Sequence, residues 1–171
     1  MGVCTATSTS FIPFTPEQVY DFITNPHNWP KTYKGSAGMQ QDLNIPIQPG
    51  EEWVETVRLG DNIYYSKWNL KTAIKPMKWV FLQTNGIGAT DKSCSNGHDG
   101  ITEIAYHLER SEIDVDGKRV QGCLFRRTLT IDLPRGTSIP DDLLAVCMKT
   151  AGIEGYHDAV IRELQKENGA A

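Results

Sequence analysis

No apolar run in this chain approaches the ~20 residues that a helix needs to cross a bilayer. The longest, such as Trp79 to Leu82, are no longer than a strand, so a helical membrane span is excluded. Basic residues are not in excess: 17 Lys and Arg face 21 Asp and Glu, a net charge of −4 that offers no broad positive field to a phosphate backbone. Nucleic acid is therefore not an expected partner. The four cysteines, Cys4, Cys94, Cys123 and Cys147, form no close pair, which removes the usual zinc spacings and a disulfide framework and leaves reduced thiols as the expectation. A glycine-rich phosphate loop is also lacking, so neither cofactor nor metal is expected. Met1 to Ser10 has neither the charged start nor the apolar core of a signal peptide, and Ala6 stands where an N-myristoylation signal has Ser or Thr. A cytoplasmic location is the expectation.

What is present is 171 residues, enough to bury a proper core, with one domain over 1–171 the default. Thr5 to Phe14 is rich in Thr, Ser and Phe and reads as a strand. It runs into Thr15-Pro16-Glu17-Gln18, a helix start in which Thr15 caps, Pro16 suits the first position and Gln18 closes a capping box. Val19, Tyr20, Phe22 and Ile23 form its buried side, Asn25-Pro26 ends it, and a second short helix is predicted over Trp29 to Tyr33.

Beyond Gly35 the turn signals Pro49-Gly50, Gly60-Asp61-Asn62, Asn85-Gly86, Asp99-Gly100 and Asp116-Gly117 recur at hairpin spacing. They divide the chain into strands at about Lys34 to Leu43, Glu51 to Leu59, Ile63 to Ile74, Lys78 to Thr84, Ile101 to Ile113 and Val120 to Leu133. The implied sheet is an antiparallel meander. Period-two alternation turns Tyr64, Ser66, Trp68, Leu70, Thr72 and Ile74 inward, with Thr102, Ile104, Tyr106 and Leu108 on the next long strand and Cys123, Phe125, Arg127, Leu129 and Ile131 on the last. Pro140 to about Asn168 reads as one long helix ending before Gly169, roughly 40 Å at ~1.5 Å per residue, and so able to lie across the sheet. Projected on a single axis, Leu143, Val146, Cys147, Ile161 and Leu164 share the apolar side with Thr150, Glu154 and His157, while Lys149, Tyr156 and Glu163 lie opposite.

Strand, two short helices, six-stranded meander and long C-terminal helix is an order that resembles the START-like helix-grip superfamily, which includes birch pollen allergen, lipid-transfer domains and polyketide cyclases or dehydratases. The resemblance rests on Phe14-Thr15-Pro16-Glu17-Gln18-Val19-Tyr20-Asp21-Phe22, on Asn25-Pro26-His27-Asn28-Trp29-Pro30, on Pro49-Gly50-Glu51-Glu52-Trp53 and on the final helix. It spans nearly the whole chain. It implies an α+β fold, a curved seven-stranded antiparallel sheet wrapped around a long C-terminal helix, with a cavity between them for a sterol, lipid, polyketide, alkaloid or related scaffold. Between Leu43 and Glu52, Pro46 and Pro49 stand in place of the glycine-rich loop of the pollen-allergen branch.

Candidate ligand contacts are Tyr64, Trp68, Tyr106 and Phe125, with Tyr33 and Met39 near the mouth and Cys147 and Thr150 on the helix. Arg127 stands out on an apolar face because a guanidinium cannot be buried without an acid or a ligand oxygen, and Glu55, in phase with Trp53, is its candidate partner. Glu154 and His157 sit three residues apart on one helical face, suitably spaced for proton transfer. Two readings stay open. One is a cofactor-independent enzyme that cyclises, dehydrates or isomerises a hydrophobic substrate by acid/base chemistry; the other is a carrier or sensor that leaves its ligand unchanged. A monomer or homodimer suits either.

Overall fold

The computed structural model describes residues 2–148 and 150–169, with side chains described throughout except at 147–154. Strand β1 (Val3–Ile12) leads into helix α1 (Pro16–Ile23), whose first turn is closed as its residue types dictate. The Gln18 amide donates to Thr15 Oγ1 at 3.2 Å while Gln18 Oε1 accepts from the Thr15 amide at 3.0 Å. This reciprocal pair satisfies two amides that a helix start leaves without partners. Thr15→Ala is expected to cost about 1 kcal/mol of folding free energy, measured by urea unfolding, while Thr15→Ser costs little.

A 3₁₀ turn over Pro26–Asn28 passes directly into α2 (Trp29–Thr32). The Trp29 indole N–H donates to the Ile23 carbonyl at 3.1 Å, tying α2 to the end of α1. Then come β2 (Ser36–Met39), β3 (Glu52–Leu59), β4 (Asn62–Ile74), β5 (Lys78–Gln83), β6 (Ile101–Val115) and β7 (Lys118–Asp132). All neighbours are antiparallel, in the order β1-β7-β6-β5-β4-β3-β2. The first strand therefore closes one edge beside the last, and α1 and α2 carry the chain to the opposite edge. The β6–β7 turn has Asp116 at φ 53° and Gly117 at φ 76°, a left-handed pair whose twist matches the flanking strands.

Helix α3 (Asp141–Met148) and helix α4 (Thr150–Gly169) follow, with residue 149 between them outside the described residues. Helix α4 packs on β1 and on α1 and α2, and α3 on β1. Its inner face consists of Tyr156, His157, Val160 and Leu164, all buried, so Tyr156 points into the sheet and not away from it as the single-axis projection predicts. The projection ranks residues by their own polarity, whereas the buried side is set by what the helix packs against. Ile74 is a second correction, being 47% exposed. Register shifts between Leu70, paired with Phe81, and Thr72, paired with Val80. One extra residue reverses the alternation beyond it, so Ala73, opposite Trp79, packs on the core and Ile74 turns outward.

The main core is aromatic. Trp29, Trp53, Trp79 and Phe81 stand mutually within about 6 Å, with Trp53 and Trp79 stacked at 5.8 Å. A smaller apolar cluster of Ile87, Ile131, Leu133 and Ile139 lies under α3 with Leu143 and Leu144 against it. Among the described residues no helix is long and apolar enough to cross a membrane.

Candidate functional site

Between these two clusters the sheet and helices leave a cavity. The centre of a water molecule can move through about 120 Å³ of it. Its walls come from nearly every element: Trp29 and Tyr33 from the α2 end, Val57 from β3, Trp68 from β4, Phe81 from β5, Ile104 and Tyr106 from β6, Leu129 and Ile131 from β7, Leu143 and Val146 from α3 and Tyr156 from α4. Most of this lining is aliphatic or aromatic, the composition of a small-molecule site.

Polar groups interrupt that lining chiefly around Glu55. The alternation that puts Trp53 in the core brings Glu55 to the same face, where only 4% of it is exposed. Its Oε2 accepts from the Trp68 indole N–H at 3.0 Å, and its Oε1 is buried without a partner. Complete burial raises the carboxyl above its ordinary value, against the opposing influence of Ser36, Trp68 and the Arg127 charge. The Ser36 hydroxyl lies against the carboxyl but makes no well-formed hydrogen bond. Arg127, half-buried, places its guanidinium 5.0 Å from the centre of the Tyr156 ring, and its Nε is buried without an acceptor. The Tyr156 hydroxyl donates to that of Tyr106 at 3.4 Å, and burial raises both phenols, Tyr156 well above its usual range.

At its other end the cavity reaches α3 and the loop that carries Ile87. Asp142 fastens α3 to the start of β4, accepting from the Asn62 side-chain amide at 2.8 Å and from the Tyr64 hydroxyl at 2.9 Å. These bonds, the Asn62 one foremost, hold the Asp142 carboxyl below its ordinary value.

No family model matches the chain, and no curated protein matches it in sequence. The search of solved structures does find matches, among them the crystal structure of Ara h 8.0201, which superposes on 96% of this chain and 99% of its own at TM-score 0.63 and 14% identity. The chain has the helix-grip fold. At that identity the likeness speaks for architecture alone.

In this helix-grip frame the candidates from the sequence fall into three groups. Glu55, Arg127, Trp68, Tyr106 and Tyr33 line the cavity together. Tyr64, Met39, Phe125 and His157 are not among its lining residues: Tyr64 serves the α3 contact, Met39 packs on the core edge, and Phe125 is fully buried 4.8 Å from the His157 ring. His157 has no exposed surface, shares a hydrogen bond of 2.7 Å through Nε2 with Ser8 Oγ, and keeps Nδ1 unpartnered. Burial, reinforced by the Arg127 charge, pushes its pKa down to about 4, so the ring is neutral at pH 7. The side chains of Cys147, Thr150 and Glu154 lie outside the described residues.

Tyr156 and the β5 pair Phe81 and Gln83 are lining residues that sequence reasoning missed. For Phe81 and Gln83 a signal was present, since period two starting from Trp79 turns both inward. Gln83 is 3% exposed and donates to the Gly86 carbonyl at 3.1 Å, bracing the loop that carries Ile87.

Proposed function

We propose that this protein binds a hydrophobic small molecule in the cavity and moves a proton on it at the Glu55 end, in a cyclisation, dehydration or isomerisation that needs no cofactor. The observation that carries the reading is a buried carboxyl with one unused oxygen, facing a mostly apolar cavity beside a guanidinium. Desolvation favours the protonated form of this carboxyl, and that form can donate its hydrogen to a ligand oxygen. Arg127 and the Tyr106–Tyr156 hydroxyl pair sit where negative charge developing on that oxygen gains stabilisation. The apolar walls hold the remaining skeleton in one orientation and keep water out.

A carrier or sensor is the second reading, favoured by the placement of His157. A ring that is neutral at pH 7 and tied to Ser8 is a clamp between α4 and β1, which leaves Glu55 without an imidazole partner in the cavity.

Native mass spectrometry of protein purified from its source, with release of the bound compound, separates the two. Incubating stripped protein with that compound or its precursor yields a changed product if the first reading holds. Tight binding with every molecule recovered unchanged would establish the carrier.

A further inference from the structure

Among the described residues that line the cavity, Arg127 is the one with a permanent charge. It occupies an inward position on β7 between Phe125 and Leu129, where the sheet pattern calls for an apolar side chain. None of the ion pairs among the described residues includes it; those pairs lie at the surface, such as Lys67 with Glu52 and Lys75 with Asp21. The Tyr156 ring and the Tyr106 hydroxyl both neighbour the guanidinium, and its Nε donor is still without an acceptor. Of the other titratable groups around it, Glu55 is biased toward its neutral form by burial and already accepts from Trp68, while His157 is neutral and turned to Ser8. Tyr106 and Tyr156 are phenols that burial also keeps protonated.

This end of the cavity thus presents a guanidinium that no ion pair among the described residues holds, with a buried N–H donor left unused. A guanidinium held in a low-dielectric wall with a free N–H gains most from an oxyanion, through charge-assisted hydrogen bonds of defined direction. We infer that the ligand is a hydrophobic acid, an apolar skeleton carrying one carboxylate or comparable oxyanion, and that Arg127 receives this group. The inference rests on the cavity being a small-molecule site, and it separates acids from sterols, terpenes and other neutral ligands of the same size.

Two fluorescent probes test it, 8-anilino-1-naphthalenesulfonate and N-phenyl-1-naphthylamine, which share a skeleton and differ by a single sulfonate. Titrated into the wild-type protein at pH 7 and physiological salt, the sulfonate is expected to bind at least tenfold more tightly than the neutral amine. Arg127→Met should remove most of that advantage by weakening the sulfonate while leaving the amine within about twofold. If the amine binds wild type as tightly as the sulfonate, or Arg127→Met weakens both alike, the anion assignment is wrong although the cavity reading survives. If neither probe binds with unit stoichiometry, both fall. Should Arg127→Met not fold, displacement of the amine from wild type decides: decanoate must compete at lower concentration than 1-decanol, and equal potency overturns the assignment.

Discussion

Glu55→Gln is expected to lower turnover of the compound recovered from the protein by about 10²–10⁴-fold, the range over which a positioned general acid contributes. Binding should change only a few-fold. Glutamine is nearly isosteric with a neutral carboxyl, and its carbonyl can keep accepting the Trp68 indole N–H that Glu55 accepts at 3.0 Å. What it removes is the transferable proton. Turnover preserved in Glu55→Gln would withdraw the carboxyl from the chemistry and leave Arg127 and the phenols to account for it. The same variant has a pH signature that needs no substrate. Because folding raises this carboxyl, the folded state holds its proton where the unfolded chain has released it. The contribution of Glu55 to stability is therefore complete below about pH 4.5 and lost as pH climbs toward the folded-state value. Glu55→Gln should gain on wild type over that climb and show no growing advantage below it.

His157 should tilt stability the other way. Its pKa falls from the ordinary 6.5 to about 4 on folding, so between those values the unfolded chain binds the proton and the folded chain does not. Stability from this residue is complete above pH 6.5 and drains away as pH drops to 4. At ~1.4 kcal/mol per pKa unit the loss is on the order of 3 kcal/mol, among the largest single-residue effects expected in this fold. Urea unfolding of wild type and His157→Gln at pH 7, 5.5 and 4 measures it. The gap between their free energies should narrow or reverse on acidification, while parallel curves would show that the ring is not the neutral buried group described above. Acid that weakens the Ser8 contact would loosen α4 from β1 specifically, since His157 joins those two elements.

How far a sequence speaks for such a site depends on whether the rule being used is local. The capping box at Thr15 is four consecutive residues obeying short-range geometry, and the structure reproduces it atom for atom. Strand faces follow from period two, which is why Glu55 and Arg127 are legible in the sequence as inward-facing polar groups. That rule lasts only while the register holds, and one extra residue near Lys71 was enough to send Ile74 outward. Period two reveals a face but not what opposes it, so it could not show that Glu55 binds Trp68 while Arg127 lies over Tyr156. Tyr156 fails for the complementary reason, because the buried side of α4 is set by what it packs against and not by the polarity of its own residues. His157 was correctly placed inward, yet only tertiary packing decides that it meets Ser8 and Phe125 instead of open cavity.

All four tryptophans of the chain, Trp29, Trp53, Trp68 and Trp79, are at most 6% exposed and lie within one aromatic cluster. Two of them, Trp29 and Trp68, line the cavity itself, and the stacked pair Trp53 and Trp79 stands directly behind Phe81. The intrinsic emission of the protein is thus collected almost wholly around the cavity, and the stacked indoles give near-ultraviolet circular dichroism a second, coupled signal from the same place. Trp68 adds chemical resolution, since its N–H is bonded to the Glu55 carboxyl. Occupancy of the cavity and ionisation of Glu55 can be followed in real time by light alone, with no label attached.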